Sequence, residues 1–81
     1  MKRLPDTRGL GDKEREALSL MLEASGRVVS IEAISRRLWP HSPQIEAKRV
    51  RNLIYRLRRK RRDIEIEAIV NEGYILVSGR N

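Results

Sequence analysis

A basic run with helical periodicity dominates this sequence. Nine of the eighteen Lys and Arg residues lie within residues 48–62, and no acidic residue interrupts them. Apolar residues recur in the same run every three or four positions, at Val50, Leu53, Ile54 and Leu57. This spacing is that of one face of an α-helix, so the run should fold against a core rather than remain a basic tail.

The residues before the run predict where this helix begins. The side chain of Ser42 can accept hydrogen bonds from the free amides of a first helical turn. Pro43 suits the next position, because an amide there would have no partner within the helix. We therefore predict a helix over about residues 43–62, with Ser42 as its N-cap.

The positive charge of the chain is concentrated in this helix. Outside residues 48–62, nine cations face eleven acidic residues, so the run accounts for the whole formal charge of +7. A helix with charges of both signs would be an ordinary solvated surface. Nine cations without an anion repel one another unless an anionic partner neutralises them. This localised charge predicts binding to a polyanion.

At 100° per residue, the polar side chains of the helix fall into three groups. The face opposite the apolar stripe carries Lys48, Asn52, Tyr55, Arg56 and Arg59. One flank carries Arg51, Arg58 and Arg62, and the other carries Arg49 and Lys60. An exposed helix fits the major groove of DNA, where Asn can pair with adenine and Arg with guanine. We predict that the first group reads bases and that the flanks contact phosphates, together with Arg36 and Arg37 of the preceding helix.

The rest of the composition excludes several classes of protein. With 81 residues and 40% apolar residues, the chain is one small domain with an aliphatic core. No apolar run is long enough to span a bilayer, and no secretory signal is visible, so we expect no membrane association. We expect a location in the cytoplasm, at the nucleoid, of a prokaryotic, archaeal or virus-infected cell. There is no Cys, and His41 stands without a second ligand, so we predict no metal, cofactor or catalytic residue.

Shorter signals predict the remaining elements. Residues 1–11 form a basic arm that is either a frayed terminus or a DNA contact, and residues 12–81 form the domain. A first helix begins at Asp12 and ends before Gly26, which suits a left-handed cap. Ser30 caps a second helix that ends at Pro40, with Trp39 sealing the core.

β-branched residues after the basic helix predict two strands. They lie on either side of Asn71 and Gly73, which can both adopt the positive φ of a tight turn. The predicted fold is therefore α+β, a winged helix-turn-helix with three helices followed by a C-terminal β-hairpin wing.

Three segments in this order resemble one family. They are SGRVVSIEAISRRLW at residues 25–39, VRNLIYRLRRK at residues 50–60 and IEAIVNEGYIL at residues 66–76. Together they are similar to the DNA-binding effector domain of OmpR/PhoB-type response regulators. The resemblance implies that the third helix enters the major groove, with Asn52, Leu53 and Arg56 facing bases. It also places Arg49, Arg51 and Arg58 near phosphates, and it matches loop 40–47 to a loop that can touch RNA polymerase.

The chain also departs from that family. No receiver domain is visible in the sequence, so we expect a domain acting alone, monomeric in free solution and paired, if at all, on DNA. Val70 and Asn71 replace the Arg-Gly pair common in the wing, which weakens the expectation of minor-groove contact. Arg51 replaces a common acidic residue, which raises non-specific attraction to DNA.

Three functions remain open from the sequence. The first is a sequence-specific, double-stranded DNA-binding transcription regulator, which the charge and the order of elements favour. The second is a protein-interaction module on the same fold that binds RNA polymerase or another regulator. The third is an RNA-binding or nucleoid-type protein that uses charge without reading sequence.

Overall fold

The chain folds as three helices followed by a β-hairpin. The structure, a computed structural model, describes residues 9–77. The elements in order are α1 (Asp12–Glu23), β1 (Val29–Ser30), α2 (Ile31–Leu38), α3 (Ala47–Lys60), β2 (Glu65–Ile69) and β3 (Gly73–Val77). The three strands form one antiparallel sheet in the order β1-β3-β2. This is the winged-helix α+β fold that the sequence predicts.

Side chains from all three helices and the sheet form one aliphatic core. The largest fully buried apolar side chains on the helices are Leu18, Met21, Ile34, Val50, Leu53, Ile54 and Leu57. Ile66 and Tyr74 close the core from the wing, and Trp39 packs against its edge as predicted. Leu10, in the predicted arm, is also buried, so this residue of the arm packs onto the domain. Residues 1–8 of the arm lie outside the described residues.

Local signals set the ends of α1 and α2. The backbone N–H of Gly11 donates to the carboxylate of Glu14 at 2.8 Å, which fixes the start of α1. After Glu23 the backbone turns through two left-handed residues, Ser25 (φ 52°) and Gly26 (φ 83°). Gly26 thus has the predicted conformation, although Ser25 is the first residue to adopt it. The Oγ of Ser30 accepts a hydrogen bond from the N–H of Ala33 at 2.9 Å, so the predicted N-cap of α2 is confirmed.

The predicted start of the third helix is wrong. α3 begins at Ala47, with Glu46 as its N-cap residue, and it ends at Lys60. The hydroxyl of Ser42 donates to the carboxylate of Glu46 instead of capping a helix. The backbone N–H of Glu46 donates to the buried Oγ of Ser35 on α2 at 2.8 Å. This tertiary hydrogen bond fixes the chain just before α3, and residues 40–46 are a loop.

Gly73 is required where β1 meets the wing. Gly73 has a φ of 150°, and a Cβ placed on it would lie 2.0 Å from the backbone oxygen of Val29. Asn71 in the turn has a φ of 64°, so both residues have the positive φ that the sequence predicts. The turn is closed by a 2.9 Å hydrogen bond from the N–H of Glu72 to the oxygen of Ile69. Only glycine lets β1 approach the hairpin this closely.

None of the helices within residues 9–77 combines the length and apolar character needed to cross a membrane.

Candidate nucleic-acid interface

α3 presents two opposite faces. Val50, Leu53, Ile54 and Leu57 are at most 1% exposed and pack against α1 and α2. Burial of this stripe fixes the rotation of the helix and turns the opposite side outward. The burial corrects the expectation for Leu53, because a side chain enclosed in the core cannot reach a base edge.

The outward side of α3 carries one continuous stripe. Its members on the helix are separated by three or four residues, and they are Lys48, Asn52, Tyr55 and Arg59. Arg62, which follows the helix, borders the same surface groove as Tyr55 and Arg59 and completes the set. All five side chains are exposed. We call this set the exposed stripe.

Three cations on or next to α3 have no acidic partner within the described residues. Lys48, Arg51 and Arg62 form no ion pair with any residue from 9 to 77. Arg59 donates to the hydroxyl of Tyr55 at 3.2 Å, and its guanidinium lies 5.7 Å from the centre of the Tyr55 ring. That contact orders both side chains without neutralising the charge of Arg59.

Two other cations of α3 are bound to one buried carboxylate. The Nε of Arg56 donates to Oε2 of Glu14 at 3.2 Å, and the Nζ of Lys60 donates to Oε1 at 2.9 Å. Burial raises the pKa of Glu14, but the hydrogen bonds from Gly11, Lys60 and Arg56 outweigh it and hold the pKa below its ordinary value. Glu14 is therefore ionised at neutral pH.

Sequence reasoning missed Glu14, although a signal was present. Glu14 lies three, four and seven positions before Ala17, Leu18 and Met21, so it falls on the apolar face of α1. A glutamate at such a position must be paired when the helix packs.

One cation on each flank of α3 contacts a neighbouring segment. Arg58 donates from Nε to the backbone oxygen of Ile66 at 3.0 Å, which ties α3 to β2. Arg49 lies 3.7 Å from a carboxylate oxygen of Glu46 and 5.5 Å from the centre of the Trp39 ring. Neither contact rules out a phosphate, because both side chains remain exposed.

The two predicted phosphate contacts on α2 are paired with acidic residues. Arg36 donates to Glu32 at 2.8 Å, one turn away on the same helix. Arg37 reaches α1, where it donates to Glu16 at 2.7 Å and lies 3.3 Å from Glu23. The hydrogen bond to Glu16 raises the pKa of Arg37. Their net contribution to the positive field is therefore small.

No group of three or more His, Cys, Asp or Glu residues among positions 9–77 is placed to hold a metal ion.

The arrangement defines a class of protein. A helix-turn-helix whose second helix is basic and exposed on one side, with a β-hairpin beside it, is a winged-helix DNA-binding domain.

The comparisons with known proteins agree. The model of the family described as "Transcriptional regulatory protein, C terminal" matches residues 7–76. The chain belongs to this family, the OmpR/PhoB-type DNA-binding domains of transcriptional regulators, which are not enzymes. No curated protein gives a significant match.

A solved structure also matches this fold. The DNA-binding domain of Bacillus subtilis CssR is 32% identical, with a TM-score of 0.77 over 85% of this chain and 78% of that chain.

Proposed function

We propose that this domain reads the sequence of duplex DNA by placing α3 in the major groove. The observation that carries the proposal is the exposed stripe: a line of polar and cationic side chains on a helix whose other side is locked into the core. Asn52 can pair with adenine, and Lys48 and Arg59 can donate to guanine. Tyr55 offers an aromatic edge between them. The free edge of the Arg56 guanidinium adds a further donor.

The cations on the flanks of α3, and Arg62 at the end of the exposed stripe, contact phosphates in this proposal. Arg51 and Arg62 are exposed and form no ion pair within residues 9–77, and Arg49 is 60% exposed. Arg58 and Lys60 contribute less to phosphate binding, because each is already bound within the protein. Arg36 and Arg37 contribute least, since carboxylates accompany them.

Selection from a pool of random duplexes tests this proposal. A sharp motif is expected, because each bidentate base contact discriminates by about 1 to 3 kcal/mol. A flat outcome would favour charge-driven binding without reading. On the selected duplex, about four to six neutralised phosphates give a slope of log K against log salt near −4 to −5. A slope shallower than about −1 would refute DNA binding through α3.

The proposal extends to assembly and location. A single module of this size buries too little DNA surface to be both tight and selective, so we propose monomers in free solution that bind paired half-sites. Sedimentation tests this, and a stable dimer at micromolar concentration without DNA would contradict it. Binding to genomic DNA implies action inside the cell, at the nucleoid.

A second candidate function concerns the loop over residues 40–46. This loop borders a groove of about 130 Å³ and carries Ile45, which is 40% exposed. Ile45 lines this groove, and the loop matches the family's loop that can touch RNA polymerase, so together they support contact with a protein such as RNA polymerase. Ile45→Asp should then abolish transcriptional regulation without changing DNA affinity. Loss of DNA affinity in the same variant would assign the loop to the DNA interface instead.

A further inference from the structure

Two cations of α3 share one buried carboxylate of α1, that of Glu14. A carboxylate with 6% of its side chain exposed accepts from Arg56 and Lys60, whose side chains remain 54% and 43% exposed. Both cations therefore have one end bound in the protein and a surface still open to solvent. We propose that Glu14 is a positioning residue that makes DNA binding selective, by orienting Arg56 and by withholding Lys60 from phosphates. The inference rests on the proposed function of α3.

The atoms of Arg56 support the first part. Glu14 engages Nε, which is one of the five N–H donors of the guanidinium. The terminal nitrogens make no hydrogen bond to protein within residues 9–77, and Arg56 borders the same shallow groove as Asn52. Guanine is read by two parallel N–H donors, so an Arg held by Nε offers its terminal pair without first losing rotational freedom. Because Glu14 already orders the Arg56 side chain in the free protein, less conformational entropy is lost when DNA binds.

The geometry of Lys60 supports the second part. Its Nζ is 2.9 Å from Glu14, whose low pKa keeps the carboxylate charged. If the ammonium moved to a phosphate, the buried carboxylate would lose one of its two cations and keep only Arg56 and the N–H of Gly11 as partners, which costs free energy. Lys60 therefore contributes little to attraction for arbitrary DNA. The ratio of specific to non-specific affinity rises because the affinity for DNA of arbitrary sequence falls.

Glu14→Gln tests the proposal, with Glu23→Gln as the matched control on the same helix. Both variants gain one positive charge, but only the first releases Arg56 and Lys60. Each is titrated with the selected duplex and with a scrambled duplex of the same composition. Glu14→Gln should bind the scrambled duplex about 3- to 30-fold more tightly at low salt, with a slope steeper by about 0.9 to 1.8. The ratio of selected to scrambled affinity should fall at least about threefold.

The outcomes separate the inference from the proposed function. If the wild type binds selectively and Glu14→Gln retains the wild-type ratio and slope, Glu14 has only a structural role and the inference is wrong. A matching change in Glu23→Gln would also overturn it, since net charge would then explain the effect. If the wild type itself shows no selectivity, the proposed function fails first.

Lys60→Met keeps the inference testable if Glu14→Gln does not fold. In the wild-type background it should change the salt slope by less than about 0.3, because Glu14 already withholds the ammonium. Arg62→Met, which removes a cation without an ion pair in the described range, should reduce the slope by about 0.9. An equal reduction in both variants would show that Lys60 contacts a phosphate, and would overturn the inference.

Discussion

Replacing Arg58 or Arg51 with Ala separates a cation that holds the fold from one that binds DNA. The two residues are seven positions apart, on the same flank of α3. Arg58 donates to the backbone oxygen of Ile66 on β2, whereas Arg51 is exposed and forms no ion pair with residues 9–77. The same mutation should therefore have two different consequences.

The magnitudes follow from these contacts. A hydrogen bond from a charged donor contributes about 1.5 to 3 kcal/mol, which we reduce to about 1 to 2 kcal/mol because Arg58 is partly solvated. For a domain of this size, Arg58→Ala should lower the Tm by roughly 4 to 16 °C. Arg51→Ala should leave the Tm within about 2 °C and reduce the salt slope of DNA binding by about 0.9.

Thermal melting followed by circular dichroism, and fluorescence anisotropy with labelled duplex at four salt concentrations, measure both quantities on the same samples. If Arg58→Ala melts like the wild type, the contact with Ile66 adds nothing to stability, and the structural role given to Arg58 is wrong. If Arg51→Ala leaves the slope unchanged, the phosphate contact given to Arg51 is equally wrong.

Three further predictions concern stability. Gly73→Ala should cost about 2 to 6 kcal/mol from overpacking against Val29 and from backbone strain, and a melting temperature near that of the wild type would contradict the close approach. Ser35→Ala should cost about 1 to 3 kcal/mol, because the N–H of Glu46 loses its partner; chemical denaturation measures it, and Ser42→Ala, at a hydroxyl that is not the N-cap, should cost less. Because the pKa of Glu14 is lowered in the folded state, its ion pairs stabilise the fold fully above the ordinary value of 4.5, and this stability is lost as the pH falls through the lowered pKa. Glu14→Gln should therefore flatten the acid side of a plot of Tm against pH, and an unchanged acid side would refute the assignment.

The order of elements was predictable because each one has a local cause. The apolar period of α3, the Ser30 cap of α2 and the turn residues Asn71 and Gly73 all act within a few positions of the chain. Such signals survive folding because the tertiary structure agrees with them.

The start of α3 was not predictable in this way. Ser42 and Pro43 form a sound local signal, but Ser35 binds the N–H of Glu46 from another helix and moves the start to Ala47. A hydrogen bond across eleven positions leaves no periodic trace in a sequence.

The sequence also did not predict which cations of α3 are bound within the protein and which are not. Helical geometry placed Arg56 and Arg59 on one exposed face, but only Arg56 reaches the carboxylate of Glu14, 42 residues earlier in the chain. Removing Arg56 therefore disturbs the pairing of a buried carboxylate as well as any base contact. Asn52 makes no such contact with the core, so it gives the cleaner test of base reading.

The most direct test of the central claim compares Asn52→Ala with the wild type on the selected and the scrambled duplex. If α3 reads bases, the affinity for the selected duplex should fall by about 5- to 150-fold, which corresponds to about 1 to 3 kcal/mol. The affinity for the scrambled duplex should change less than about twofold, and the melting temperature should not change. An equal loss on both duplexes with the fold intact, or no loss on either, would contradict the claim that the exposed stripe reads DNA sequence.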